Sequence, residues 1–504
     1  MAKNYNFAKT SVWITVILAI GYVFAFLKES VIANYFGVSA IVDAYNVAIQ
    51  IPVIIFSFVA VAIKSVIIPL YSDIYYNKGD SAANHFVSSF ISLNILIAIL
   101  FVILGELFAG PFISLFAPGF DTETHNIAAE LLRVTMPTVI FTVVTDIITG
   151  VLNVHKILVL PCFSVYFLQL TIIIFLVILH SNYGIAVACM GQVLGSMLQM
   201  TYLSVLAKKV FHFHFSTDFK APEIIKALKM SGPVIWGISI AEVNAMINRI
   251  VGSLLIVGSI SALSYANKIN SVFMTFCIQA ISIIVYPLYS ESSAKNDMAQ
   301  LNRRVNTTLS VYTAMLMPIM LGVFALRKEV IEVAFARGAF DNNAVMITKS
   351  VLGFYTIGML FSAFRETLTK VFYSLKDTAT VAKNATLGVI INIVLNLTLP
   401  WFLGVQGIAL STSLSAIFIS MRLLWLLTRK DESINLNDFF KNLKGVGISS
   451  VIMFAAVMVF ECFFNEINSL YLLVACGIGG AILYAILLLV TKPPVVKDIR
   501  RYIK

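Results

Sequence analysis

The sequence predicts an all-α polytopic membrane protein. It should have about fourteen transmembrane helices, built as two six-helix lobes related by pseudo-two-fold symmetry plus two C-terminal helices. Three observations lead there. Of 504 residues, 59% are apolar and only 12% are charged, with a mean hydropathy of +0.92. The apolar residues fall into fourteen stretches, each near the roughly 20 residues needed to cross the hydrocarbon core. The chain also resembles itself at a shift near 220 residues.

Composition excludes a soluble enzyme, a disordered chain and a secreted disulfide scaffold, all of which need more polar residues or more cysteines. The five cysteines lie in apolar stretches without metal or redox spacing. The formal net charge of +10 would raise nucleic acid as a partner in a soluble chain. Here its first meaning is position relative to a bilayer.

The stretches run near 11–35, 44–71, 87–116, 127–152, 157–179, 184–206, 225–256, 261–288, 306–325, 345–374, 381–402, 405–427, 443–463 and 468–490. Pro52, Pro137 and Pro318 fall inside three of them and predict kinks. The first carries Lys28-Glu29 and lacks a small-residue cleavage site, so a retained helix is expected. With a cytoplasmic N-terminus, 23 basic residues fall in cytoplasmic segments and 3 (Arg327, Lys328, Arg337) in the opposite loops. That bias orients the chain with both termini cytoplasmic. His212 and His214 alternate with phenylalanines in one cytoplasmic loop.

Nine basic residues remain inside spans: Lys28, Lys64, Arg133, Arg249, Lys268, Lys349, Arg365, Lys370 and Arg422. Six acids accompany them: Glu29, Glu106, Glu130, Asp146, Glu242 and Glu366. A charge at mid-membrane costs about 2.5–3.5 kcal/mol on insertion scales, so each needs an ion pair, a wet cavity or a route to the interface. Arg133, Lys349 and Arg422 lie close enough to span ends to snorkel. Glu366 and Lys370 have the i, i+4 spacing of a helix ion pair. Lys28, Arg249, Lys268 and Arg365, with Lys64, then read as the lining of a net-positive cavity. Glu242 shares a helix face with Arg249, and Lys268 shares one with Ser264 and Ser271.

The repeat pairs Pro69-Leu-Tyr-Ser72 with Pro287-Leu-Tyr-Ser290, Lys28 with Arg249, Gly37 with Gly258, Phe120-Asp121 with Phe340-Asp341, and Lys156 with Lys376. The shift spans six helices, an even number, so the copies have parallel topology. This predicts lobes at 1–207 and 208–430, with two further helices and a tail at 431–504. A cationic cavity suits an anionic substrate such as a phosphate or pyrophosphate. No GxxxxGK[ST] motif is present, so secondary transport is expected, coupled to Na+, H+ or the membrane potential. Glu242 with Asn392 and Asn396, four residues apart, forms a candidate ion site.

Phe26-Leu-Lys-Glu-Ser-Val-Ile-Ala-Asn-Tyr-Phe-Gly37, with Asp43-Ala-Tyr45 and Pro52, resembles the first two helices of the MurJ/MviN lipid II flippase family. That family sits in the multidrug/oligosaccharidyl-lipid/polysaccharide exporter superfamily. Gly258 to Lys268 and Pro287-Leu-Tyr-Ser290 resemble its eighth helix, and Arg337-Gly-Ala-Phe-Asp341 with Phe372 to Thr378 resembles its tenth-helix region. The resemblance implies a flippase moving a polyprenyl-pyrophosphate-linked peptidoglycan precursor across the bacterial cytoplasmic membrane by alternating access. It implies roles for Lys28, Arg249 and Asp43 and a lipid-tail groove at the last two helices. With the charge reading, the expected substrate contacts are Lys28, Arg249, Lys268, Arg365 and Lys64, and the expected gating residues are Glu29, Asp43 and Pro52. Asp43 is expected to meet a basic group in one state. Phe56 and Ser57 stand where the family carries an Arg-Arg pair. The expected partners are the lipid-linked substrate and membrane lipids, with no cofactor, no nucleic acid and a monomeric state.

Three rivals remain. A flippase for O-antigen, capsule or exopolysaccharide units shares the cavity logic. A cation-coupled multidrug exporter would need an acidic pocket. A membrane glycosyltransferase would need catalytic carboxylates on a long loop, which this chain lacks.

Overall fold

The structure, a computed structural model, describes residues 7–431, 434–464, 466–491 and 493–494. Among these residues there is no strand. Helices α1 (Phe7–Phe36), α2 (Ala40–Lys78), α3 (Asp80–Leu107), α4 (Ala109–Phe116), α5 (Thr122–Thr135), α6 (Thr138–Val154), α7 (Val159–Cys162), α8 (Ser164–Tyr183), α9 (Ala186–Ala207) and α10 (Pro222–Ser253) come first. They are followed by α11 (Ser259–Ala294), α12 (Met298–Ala325), α13 (Arg327–Phe335), α14 (Asn342–Ile357), α15 (Met359–Ser374), α16 (Thr378–Thr398), α17 (Pro400–Leu403), α18 (Val405–Lys430), α19 (Asn437–Phe463) and α20 (Ser469–Thr491).

All fourteen apolar stretches lie on one helix or on two consecutive ones. Among the described residues nine spans are long and apolar enough to cross a membrane, or ten when α5 and α6 count as one. The other four stretches are the helices α2, α9, α10 and α11. The α5–α6 break bends by 41° at Pro137, which has no N–H for the helix ladder. Pro52 and Pro318 sit inside continuous helices instead. Each frees the carbonyl four residues earlier, and a neighbouring hydroxyl takes it up. Thr135 Oγ1 lies 3.3 Å from Ala48 O, sharing its one proton between that carbonyl and those of Leu131 and Leu132, and Tyr484 Oη donates to Ala314 O at 2.8 Å.

The chain forms two compact units, Met1–Ser261 and Ala262–Lys504. The expected boundary at 207/208 separates α9 from α10, whereas the compact unit runs on to Ser261. The reason is that α10 packs along α2, tied by Lys78–Glu223 at 2.7 Å and Lys226–Asp73 at 3.5 Å.

The core of the first unit joins α2, α3 and α6 through Ile67, Phe86, Phe90, Val143 and Ile147. Elsewhere in the first unit α8 packs along α9. Gly191 and Gly195, four residues apart, let α9 come so near that an added Cβ would lie 2.9–3.0 Å from the Ile172 and Leu168 backbone. The second unit centres on α12, α15, α18 and α19, where Val305, Leu309, Phe364, Leu368, Leu423 and Phe439 share one core. Its last helix, α20, turns Val474, Ile478, Ile482, Ile486 and Leu489 outward, as a lipid-facing helix must.

The repeat is written in the backbone. Left-handed φ values occur at Gly37 (62°) and Gly258 (89°), at Lys156 and Lys376 (both 60°), and at Gly184 (59°) and Gly404 (62°). Asp121 and Asp341, also repeat partners, each cap a helix by accepting from the amide three residues on, at 2.7 and 2.8 Å.

Candidate substrate-handling site

In the first unit, Lys28 lies on α1 with 9% of its surface exposed. Its Nζ is 2.9 Å from a Glu29 carboxylate oxygen, and the fully buried Tyr45 of α2 stands beside the ammonium. The cation is therefore held as one half of an ion pair. Pairing offsets much of the cost of taking either charge out of water. Arg249 and Glu242 are both half-buried on α10.

Asp43, in the first turn of α2, is 4% exposed. Its carboxylate accepts from Gly258 N at 2.8 Å and from Ser261 N at 2.6 Å. The basic partner expected of it is replaced here by backbone amides at the start of α11. The first turn of a helix leaves amides without partners and carries the positive end of the helix dipole, so a carboxylate fits there as well as beside a cation. Gly258 makes the approach feasible. Its φ of +89° disfavours a side chain, and a Cβ would fall 2.4 Å from Val38 Cγ1. Pro52 is buried in α2, bound to α5 through the Thr135–Ala48 contact.

In the second unit, Lys268 is half-buried on α11 and Arg365 is exposed on α15. Glu366 and Lys370 form their pair at 3.2 Å. Asn392 and Asn396 are buried on α16, where Asn396 Nδ2 donates to Asn392 Oδ1 at 2.8 Å. Arg422 does not need to snorkel, because its guanidinium donates to the buried Asn384 at 2.6 Å. Lys64 lies in α2, but its side chain is outside the described residues.

An apolar crevice of about 500 Å³ opens in the second unit. Pro318 and Val323 of α12, Met453 and Val457 of α19, and Gly477 and Tyr484 of α20 line it. Its walls suit a hydrocarbon chain. On the short helix α13, whose Val330 also lines the crevice, Glu329 is 4% exposed, and burial pushes its carboxyl above the usual range.

Sequence reasoning missed Tyr45, Thr135 and Glu329. Tyr45 had a local signal, since it follows Asp43 by two residues. Thr135 had none, because its partner is a carbonyl freed by a distant proline.

The fold has counterparts among solved structures. It matches the inward-facing structure of a multidrug resistance MATE family transporter of the MOP superfamily, with a TM-score of 0.64 over 83% of this chain and 94% of that one. At 11% identity this shows a shared fold. The family follows from the sequence: the family model "Lipid II flippase MurJ" matches residues 32–476, and the chain belongs to that family of transporters. A solved structure of lipid II flippase MurJ in an inward closed conformation matches with a TM-score of 0.82 and 25% identity, covering 97% of this chain and 99% of that one. The probable lipid II flippase MurJ of Buchnera aphidicola subsp. Baizongia pistaciae is 28% identical over 417 residues, 82% of this chain and 81% of that protein.

Proposed function

We propose that this chain flips lipid II across the bacterial cytoplasmic membrane. Family membership over residues 32–476 is the observation that carries the reading. In its finer form the protein works by alternating access through a cationic cavity, with both termini cytoplasmic and the protein acting as a monomer. Lys28, Arg249, Lys268 and Arg365 are the groups assigned to the pyrophosphate, while the polyprenyl tail stays in apolar surroundings. The Lys28–Glu29 pair gives this a mechanism. An arriving pyrophosphate offers Lys28 a stronger anion than Glu29, so binding exchanges one partner for another and never strands the ammonium. The bonds from Gly258 N and Ser261 N to Asp43 are the contact assigned to gating, which one step of alternating access would release. Coupling to Na+, H+ or the membrane potential resets the carrier, with Glu242, Asn392 and Asn396 as the candidate ion ligands.

Flipping of fluorescent lipid II in proteoliposomes tests the reading. Lys28→Ala and Arg249→Ala should each lower the rate at least about tenfold, the loss expected for a charge-assisted contact. Full activity in both variants would overturn the cation assignment. Failure of the unaltered protein to move lipid II, with transport of another polyprenyl-linked oligosaccharide, would overturn the substrate.

A further inference from the structure

Away from these residues, the first unit contains a second apolar crevice, on the side that the Lys/Arg bias assigns to the cytoplasm. Helices α3 and α9 each pack against α6 but make no substantial contact with one another. The gap between them has Val144 and Ile148 of α6 as its floor, with Ile91 of α3 and Met200 of α9 on the walls, and holds about 490 Å³. That is within the range of pockets that enclose small ligands.

The chain after α9 turns back over this gap and is strapped to α3 by a ladder of serines. Ser88, Ser89 and Ser92 are all fully buried. His214 N donates to Ser88 Oγ at 3.3 Å, Ser216 N donates to Ser92 Oγ at 3.2 Å, and Ser89 Oγ donates to Ser216 Oγ at 2.8 Å. His85 stacks on the His214 ring and lies 3.2 Å from the Asp218 carboxylate. The strap brings Phe211 and Phe213 over the crevice and places Lys208 and His212 at its rim. Lys208 and Lys209 are exposed, and among the described residues neither has an ion pair. Phe213, which lines the crevice with Lys208, and Phe215, two residues on, expose half or more of their surface.

The lining is thus segregated, with hydrocarbon below and positive charge at the mouth. Basic pockets between transmembrane helices on the cytoplasmic side are sites for anionic lipid headgroups. Aromatic rings beside basic residues belong at the level of those headgroups. A peptide would leave its backbone groups unpaired in walls this apolar, because Ser204 is the one polar side chain in the lining besides Lys208 and His212. We propose that this crevice binds an anionic glycerophospholipid of the cytoplasmic leaflet. One acyl chain fills the space between α3, α6 and α9, and the phosphate rests on Lys208 and His212. The site uses none of the residues assigned to the pyrophosphate.

The test is native mass spectrometry of the full-length protein in micelles doped with phosphatidylglycerol or with phosphatidylcholine of the same chains. Phosphatidylglycerol should be retained preferentially. The double variant Lys208→Glu, Lys209→Glu should lose that preference, by about fivefold per basic residue removed. Both positions are exposed, so this variant should keep the parent's unfolding midpoint. Ser204→Trp, which fills the crevice, should lower retention of both lipids. Equal retention of the two lipids by the parent, or an unchanged preference in the charge-reversed variant, overturns the proposal. One-for-one displacement of bound phosphatidylglycerol by a polyprenyl phosphate also overturns it, assigning the crevice to the tail of the substrate.

Discussion

Replacing Asp43 by alanine removes the acceptor for two amides at once, Gly258 N at 2.8 Å and Ser261 N at 2.6 Å. The carboxylate is 4% exposed, so water does not readily take its place. A buried donor left without a partner costs about 1–3 kcal/mol, which puts the pair at roughly 2–6 kcal/mol before relaxation. Most of that falls on the α10–α11 joint, because the lost bonds end there. Local opening of the joint becomes easier, and amide exchange over residues 255–263 should accelerate by at least about tenfold, the equivalent of 1.4 kcal/mol. Asp43→Asn keeps one acceptor oxygen and should fall between parent and alanine. Hydrogen–deuterium exchange read by mass spectrometry on that peptide decides the matter. Unchanged exchange in Asp43→Ala would refute the reasoning, since it would mean the two bonds hold nothing.

Gly258→Ala should lower the thermal unfolding midpoint through about 1–3 kcal/mol of backbone strain at φ +89°. Adding Val38→Ala should recover only the steric part of that loss, since the φ strain stays. Tyr484→Phe leaves the buried Ala314 carbonyl, freed by Pro318, without its donor, and should cost about 1–3 kcal/mol in a chemical unfolding series. Asp377 accepts from Thr380 N at 3.0 Å and pairs with Lys430, which holds its carboxyl below the ordinary 3.8. A lowered folded-state value stabilises above the ordinary value, and that contribution disappears as pH falls through the folded one. The stability gap between the parent and Asp377→Asn should therefore be constant above about pH 5 and shrink below about pH 4.

The helices and their order were legible because a bilayer enforces long apolar runs, and such runs survive without any knowledge of packing. The Glu366–Lys370 pair was legible for a similar local reason, the i, i+4 spacing. Lys28–Glu29 was not, because adjacent helix residues point away from each other and pair only when depth and a neighbour such as Tyr45 force them. Asp43 pointed to a basic partner, yet backbone amides more than 200 residues away answer it, and amides leave no mark in a sequence. The boundary at 207/208 followed the repeat, whereas compactness follows contact, and α10 belongs by contact to α2.

The left-handed residues mark where each copy of the repeat must reverse direction. From Lys156 to Gly184 is 28 residues, and from Lys376 to Gly404 is again 28. Few side chains between those points match. What the two copies hold in common is an interval, a count of residues between fixed corners, and the intervening helices are cut to it. Insertions and deletions should then be far more damaging between the corners than substitutions of comparable size. The chain's tolerance to change should be set by where its corners fall more than by what fills the distance between them.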